Sequence, residues 1–150
     1  MPESTDSFTY SHSGICVQDL DRSLRFWCDG LGFEKAEVFT VGPEFGSALE
    51  VEGEVTVTSQ FIRKGPIAIE LLDYESPGVL GEPSARRNQI GLTHLSFVVP
   101  DVDAAAAHLV ACGGTILSDT YFGAGDPTTI QILFLSDPDG VRVELMRYPG

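Results

Sequence analysis

Basic side chains are scarce in this chain: nine Lys and Arg stand against 22 Asp and Glu in 150 residues, a formal charge of −13. So acidic a surface repels phosphate backbones and anionic lipid headgroups, which argues against nucleic acid and membrane as partners. Long apolar runs are missing too. No stretch approaches the roughly 20 apolar residues of a membrane span. The opening MPESTDSFTY has neither a basic start nor an apolar core, so no secretory signal is read there and a cytoplasmic protein is expected. Cysteine is sparse and unpatterned. Cys16, Cys28 and Cys112 are odd in number and form no CxxC pair, which fits reduced thiols rather than a disulfide framework or zinc knuckle, and all three are expected to pack as small hydrophobes.

What is present is an ordinary globular composition, 43% hydrophobic with 16 Gly and 9 Pro, of a length that suits one domain. Its main feature is an internal repeat. Sliding the chain by 82 positions lays Ser11-His12-Ser13-Gly14-Ile15-Cys16-Val17 on Thr93-His94-Leu95-Ser96-Phe97-Val98-Val99, and Asp19-Leu20-Asp21 on Asp101-Val102-Asp103. Each Asp-x-Asp precedes a helix-like stretch. Asp19 or Asp21 can cap residues 22–30, with Leu24, Trp27 and Leu31 at helical spacing, and the alanine-rich residues 104–111 stop at Cys112-Gly113-Gly114. Further strand-like runs follow at 37–41 and 55–62, and at 115–117 and 129–135. Each half closes on a strand carrying an acid, Ile67-Ala68-Ile69-Glu70-Leu71-Leu72 and Val141-Arg142-Val143-Glu144-Leu145-Met146, the second preceded by the turn Asp137-Pro138-Asp139-Gly140. The final strands match at an offset of 74, so the first half holds eight extra residues, placed most simply in an enlarged loop at 46–54.

The expected fold is therefore α+β, two tandem βαβββ modules in one structural domain. A flexible tail spans 1–9, the first module 10–75, a Pro- and Gly-rich linker 76–90 and the second module 91–148. Strand alternation separates the side chains. Ile15 and Val17, Leu95, Phe97 and Val99, Ile67, Ile69 and Leu71, and Val141, Val143 and Leu145 form apolar faces under the helices. The opposite, concave faces receive His12, Glu70, His94 and Glu144. Two imidazoles and two carboxylates at repeat-equivalent places form a mixed nitrogen and oxygen donor set suited to Zn, Ni, Co, Mn or Fe(II). His108 lacks a repeat partner and reads as a solvated surface residue. Arg142 shares the face of Glu144, where it can meet an anionic substrate group or pair with a neighbouring acid.

These residues, together with Gly30-Leu31-Gly32-Phe33, Thr93-His94-Leu95-Ser96-Phe97 and the run from Asp137 to Leu145, resemble the vicinal oxygen chelate superfamily over residues 10–148. That superfamily includes glyoxalase I, methylmalonyl-CoA epimerase, extradiol dioxygenases, fosfomycin-resistance enzymes and bleomycin-binding proteins. The resemblance implies four-stranded half-barrels, a metal held by His12, Glu70, His94 and Glu144, and a homodimer. It also implies a lyase or isomerase that removes a proton next to a carbonyl, the metal holding the charge of the enolate. Glu144 is then the expected base and Glu70 a ligand able to act as a second one. A further glutamate of the epimerase pattern can fall on Glu44, Glu52 or Glu54. The substrate is expected to be a small molecule such as a thioester or thiol conjugate. Arg63, Lys64, Arg86 and Arg87 can contact its anionic part, although solvated positions explain them equally well. Two alternatives stand beside this reading. An Fe(II) dioxygenase would use His12 or His94 with Glu144, and a non-enzymatic resistance or binding protein would need none of the four ligands. The repeat is compatible with a site inside one chain or across two.

Overall fold

The structure is a computed structural model that describes residues 5–150; residues 1–4 of the expected tail lie outside it. Strand β1 (Ser13–Val17) alternates buried Ile15 and Val17 with exposed Gly14 and Cys16. The chain then turns at Asp19, whose backbone at φ −145, ψ 109 leaves its side chain to accept the Arg22 N–H at 2.9 Å and start helix α1 (Leu20–Leu24). The helix thus begins two residues earlier than its spacing predicts. It continues into a wider π turn over Arg25–Gly30, closed by Leu31 N–H on the Phe26 carbonyl. Phe26 and Trp27 are both fully buried there.

Strands β2 (Glu34–Val41), β3 (Thr56–Lys64) and β4 (Ile67–Ser76) follow, and the sheet order is β1-β4-β3-β2, with β1 parallel to β4 and the other pairs antiparallel. The second module repeats the plan. Strand β5 (Leu95–Val98) leads to Asp101, which at φ −144, ψ 110 caps helix α2 (Val102–Ala111) through the Ala104 N–H at 2.9 Å. Strands β6 (Thr115–Ile116), β7 (Gln131–Ser136) and β8 (Arg142–Arg147) complete the sheet β5-β8-β7-β6. The expected βαβββ duplication and α+β class are what the chain forms. The loop between β2 and β3 (42–55) is as long as its counterpart between β6 and β7 (117–130). The extra residues of the first module therefore lie not in an enlarged loop, as expected, but in the longer strands β2 and β3, of eight and nine residues against two and six in β6 and β7. Val55 and Val57 are buried outside the shared core.

The two modules share one core. Ile15, Val17, Ile69 and Leu71 from one sheet and Leu133, Leu135, Val143 and Leu145 from the other belong to a single apolar cluster with Leu24, Phe26, Trp27, Val102, Ala106 and Leu109 from the helices. Each such large side chain contributes about 1.5–3 kcal/mol when fully buried. Ile67, expected inward, is 44% exposed because it opens its strand straight after the Gly65 turn. The helices fit by opposite bulk, since a Cβ on Gly114 would lie 2.8 Å from the Phe26 ring and one on Gly30 would lie 3.0 Å from Leu109. Polar links cross the same seam. The Trp27 indole N–H reaches Asp137 at 3.3 Å, Arg22 pairs with Asp139 at 3.0 Å, and Arg25 donates to the Ala111 carbonyl at 2.6 Å. His108 is exposed as expected, and its Nε2 also lies 2.9 Å from the Asp29 carbonyl oxygen.

Because the apolar faces meet through the helices, the concave faces look away from the shared core. This corrects the expectation for Cys16, which sits on the concave face of β1 and is exposed, whereas Cys28 is half-buried and Cys112 buried. The segment joining β4 to β5 is unusually open, with Leu80, Ile90 and Leu92 at 98%, 102% and 91% exposure.

Candidate functional site

Parallel pairing of β1 with β4 sets Gly14 opposite Glu70. His12, two residues before Gly14, follows the same pleat and meets that glutamate, with Nε2 3.0 Å from Oε2. The other ring nitrogen, Nδ1, lies 2.8 Å from the Ser11 hydroxyl. Phe61 stands directly across from Glu70 on β3 and turns its ring edge-to-face with His12, centroids 4.9 Å apart. From two residues earlier on β3, the buried Ser59 hydroxyl donates to Glu70 Oε1 at 2.6 Å.

The second module builds the same group. Ser96 pairs with Glu144, so His94 Nε2 comes within 3.3 Å of Glu144 Oε2. Its Nδ1 is 2.8 Å from the Thr93 hydroxyl, and Phe134, across from Glu144 on β7, makes an edge-to-face contact with His94 at 5.1 Å. The histidine side chains are 32% and 29% exposed and the glutamates 21% and 12%, so each pair lies on an open face rather than in the core.

The residues fit a divalent metal. In each pair an imidazole nitrogen and a carboxylate oxygen lie side by side, at 3.0 and 3.3 Å, and a hydroxyl holds the far ring nitrogen, the kind of outer partner that fixes which nitrogen faces a metal. Each pair supplies two donors only. Among the described residues no group of three or more His, Cys, Asp or Glu side chains is gathered so as to hold a metal ion. Within one chain the four expected ligands therefore stand as two separate His–Glu pairs.

The neighbouring charges sort themselves. Arg142 lies on the concave face with Glu144, donates to the Gly140 carbonyl at 2.8 Å and has no acidic partner among the described residues. It lines a cavity of about 430 Å³ between β1, the start of β5 and residues 79–84, which His94 also borders. Burial lowers the basicity of Arg87, and the like charge of Arg142 adds to the effect. Arg63 pairs with Glu37 at 3.0 Å. Glu44, Glu52 and Glu54 are all exposed in the loop between β2 and β3, none of them on a strand. On the concave face Cys16 is exposed as a residue, yet the partial burial of its thiol, helped by Asp139 and Asp73, raises it above its usual range, which makes it a poor nucleophile.

Sequence reasoning overlooked the residues around the two His–Glu pairs. Ser11 and Thr93 were visible as a hydroxyl before each repeated histidine. Phe61 and Phe134 match at nearly the offset of the glutamates. Ser59 carried no repeat signal, since Ile132 occupies the equivalent position opposite Met146.

Comparison with known proteins identifies the family and the fold. Residues 9–145 match the sequence profile of the Glyoxalase/Bleomycin resistance protein/Dioxygenase superfamily. The uncharacterized protein YaeR of Escherichia coli is 34% identical over 139 residues, covering 89% of this chain and 92% of that protein. A 2-epi-5-epi-valiolone epimerase from Actinomyces is 29% identical over 151 residues, covering 93% of this chain and 79% of the enzyme. Among solved structures, a glyoxalase family protein from Bacillus cereus superposes with a TM-score of 0.81 at 19% identity over 100% of this chain and 99% of its own.

Proposed function

The chain belongs to the Glyoxalase/Bleomycin resistance protein/Dioxygenase superfamily, and from that premise we propose that it is a metal-dependent lyase or isomerase that moves a proton on a carbon next to a carbonyl. The duplicated His–Glu pair carries the reading: two imidazole nitrogens and two carboxylate oxygens, each pair closed to 3.0 and 3.3 Å, form a donor set that chance does not place twice. His12, Glu70, His94 and Glu144 would hold Ni, Co, Zn or Mn, which supplies Lewis-acid polarisation of the substrate carbonyl. Ser11 and Thr93 hold the imidazoles in orientation. Phe61 and Phe134 pack edge-to-face against the two imidazoles. Glu144 takes the proton from the carbon and returns it, a step worth roughly 10²–10⁴-fold in rate.

Two features support completion of the site by a second copy of the chain. The concave faces look away from the shared core, and the segment between the modules displays Leu80, Ile90 and Leu92 almost fully, apolar area that association would cover. The first pair of one chain would then face the second pair of its partner. A small substrate such as a thioester or thiol conjugate suits the chemistry, and the similarity to an epimerase favours removal and return of a proton at one carbon. An Fe(II) dioxygenase needs two histidines and one carboxylate with room for O₂. Here Glu70 stands as close to its histidine as Glu144 does to its own, which favours proton transfer.

Elemental analysis with light scattering on the purified protein tests the reading. One Ni, Co, Zn or Mn per chain in a dimer is expected, with solvent-deuterium exchange into an acyl thioester or thiohemiacetal that proceeds without O₂. Glu144→Gln should keep the fold and lose that exchange, and undiminished exchange would overturn the base assignment. Iron with O₂ consumption would turn the reading to the dioxygenase, and a wild type that takes up no metal would refute the ligand set.

A further inference from the structure

We propose that Ser59 is a positioning residue that divides the labour between the two glutamates, fixing Glu70 as a ligand and leaving Glu144 as the carboxylate able to exchange a proton. The inference rests on the reading of His12, Glu70, His94 and Glu144 as metal ligands.

The repeat acts as an internal control. A hydroxyl on the imidazole Nδ1, an edge-to-face phenylalanine and a histidine nitrogen at one carboxylate oxygen occur in both modules, at nearly equal distances. One polar contact differs. Glu70 has both oxygens engaged, Oε2 by His12 and Oε1 by Ser59 at 2.6 Å. Glu144 has Oε2 at His94, while its Oε1 has no partner among the described residues. The cause lies one step along the neighbouring strand. Ser59 sits opposite Leu72 on β3, and the matching place opposite Met146 on β7 holds Ile132, which has no donor.

Ser59 is 3% exposed, and a buried hydroxyl must find a partner; its partner is a carboxylate, which makes the bond charge-assisted and strong. Glu70 is thereby prevented from rotating about its terminal bond, and it offers a metal one oxygen in a fixed direction. Binding and then releasing a substrate proton on Glu70 would compete with this hydrogen bond. Glu144 meets no such competition at Oε1, so the proton removed from carbon goes to that oxygen and returns from it to the same or the neighbouring carbon.

The test is metal affinity, read independently of turnover. Zn(II) binding by calorimetry and Mn(II) binding by electron paramagnetic resonance are measured on the wild type, Ser59→Ala and Ser59→Thr. Ser59→Ala should weaken both metals roughly 10- to 100-fold, the usual effect of deleting an outer partner of a ligand, with an altered Mn(II) spectrum, and Ser59→Thr should restore most of the loss. In a Glu70→Gln background the serine deletion should have no further effect. The same loss in both backgrounds would assign Ser59 a merely structural role and overturn the proposal, as would unchanged affinity in Ser59→Ala beside a wild type that binds. Failure of the wild type to bind either ion would instead bring down the metal reading itself, and this proposal with it.

Discussion

The two modules are alike where they face outward and unlike where they face each other. Their concave faces repeat a histidine, a glutamate, a phenylalanine and a hydroxyl almost atom for atom. Their inner faces share a cap geometry and little else. α1 widens into a π turn that buries Phe26 and Trp27, whereas α2 is alanine-rich and buries Val102, Ala106 and Leu109. The Asp137–Asp139 turn grips the first module through Trp27 and Arg22, while the matching turn at Gly65 contains no acid. The difference has a physical logic. A pair of identical bulky helices would collide at the seam, so one is large and the other small, whereas the outward-facing His–Glu pairs meet no such constraint and stay the same.

Replacing the bulky side of that seam should have the largest effect. Trp27→Ala should destabilise by about 3–5 kcal/mol, more than truncation of Leu109, its repeat-equivalent on α2. Denaturant unfolding followed by circular dichroism measures both, and equal losses would break the claim of unequal roles. The next effect lies at Asp137, whose side chain accepts bonds from the Asp139 and Val141 N–H groups and from Trp27. Asp137→Asn turns an amide N–H toward the indole N–H and should cost roughly 1–3 kcal/mol. Burial outweighs these hydrogen bonds and raises the Asp137 carboxyl above its ordinary 3.8. The folded state therefore holds the proton more tightly than the unfolded one. Stability from this group should fall as pH rises from 3.8 through the raised folded value, so the margin of wild type over Asp137→Asn should narrow across that window. A margin that widens would show that the hydrogen bonds, not burial, dominate. The smallest effect tests the likeness of the modules. Asp19→Ala and Asp101→Ala remove caps of the same geometry and should each cost about 1 kcal/mol, and a clear inequality in their unfolding midpoints would show that the two helix starts are not equivalent.

Much of the site was legible because it rests on short-range periodicity. His12 stands two residues before Gly14 and His94 two before Ser96, and alternation by two sufficed to put the expected ligands on the face opposite Ile15, Val17 and Phe97. The caps were legible from Asp-x-Asp. Cys16 was misjudged because its residue type predicts burial, while its strand face is open. Ser59 was invisible because the contact joins residues on different strands and has no repeat partner. The choice left open for Arg142 narrows once it is seen without an acid.

By itself the sequence determined two βαβββ modules, their helix starts, and which side chains share a strand face. Those features depend on alternation, capping and turn chemistry within a few residues. Tertiary structure alone decided how the modules meet, and with that the separation of the four expected ligands into two outward-facing His–Glu pairs. That outcome depends on contacts such as Trp27 with Asp137, 110 positions apart, and on the fit of Phe26 over Gly114. Such fits arise from the shapes of surfaces that exist only after each module has folded.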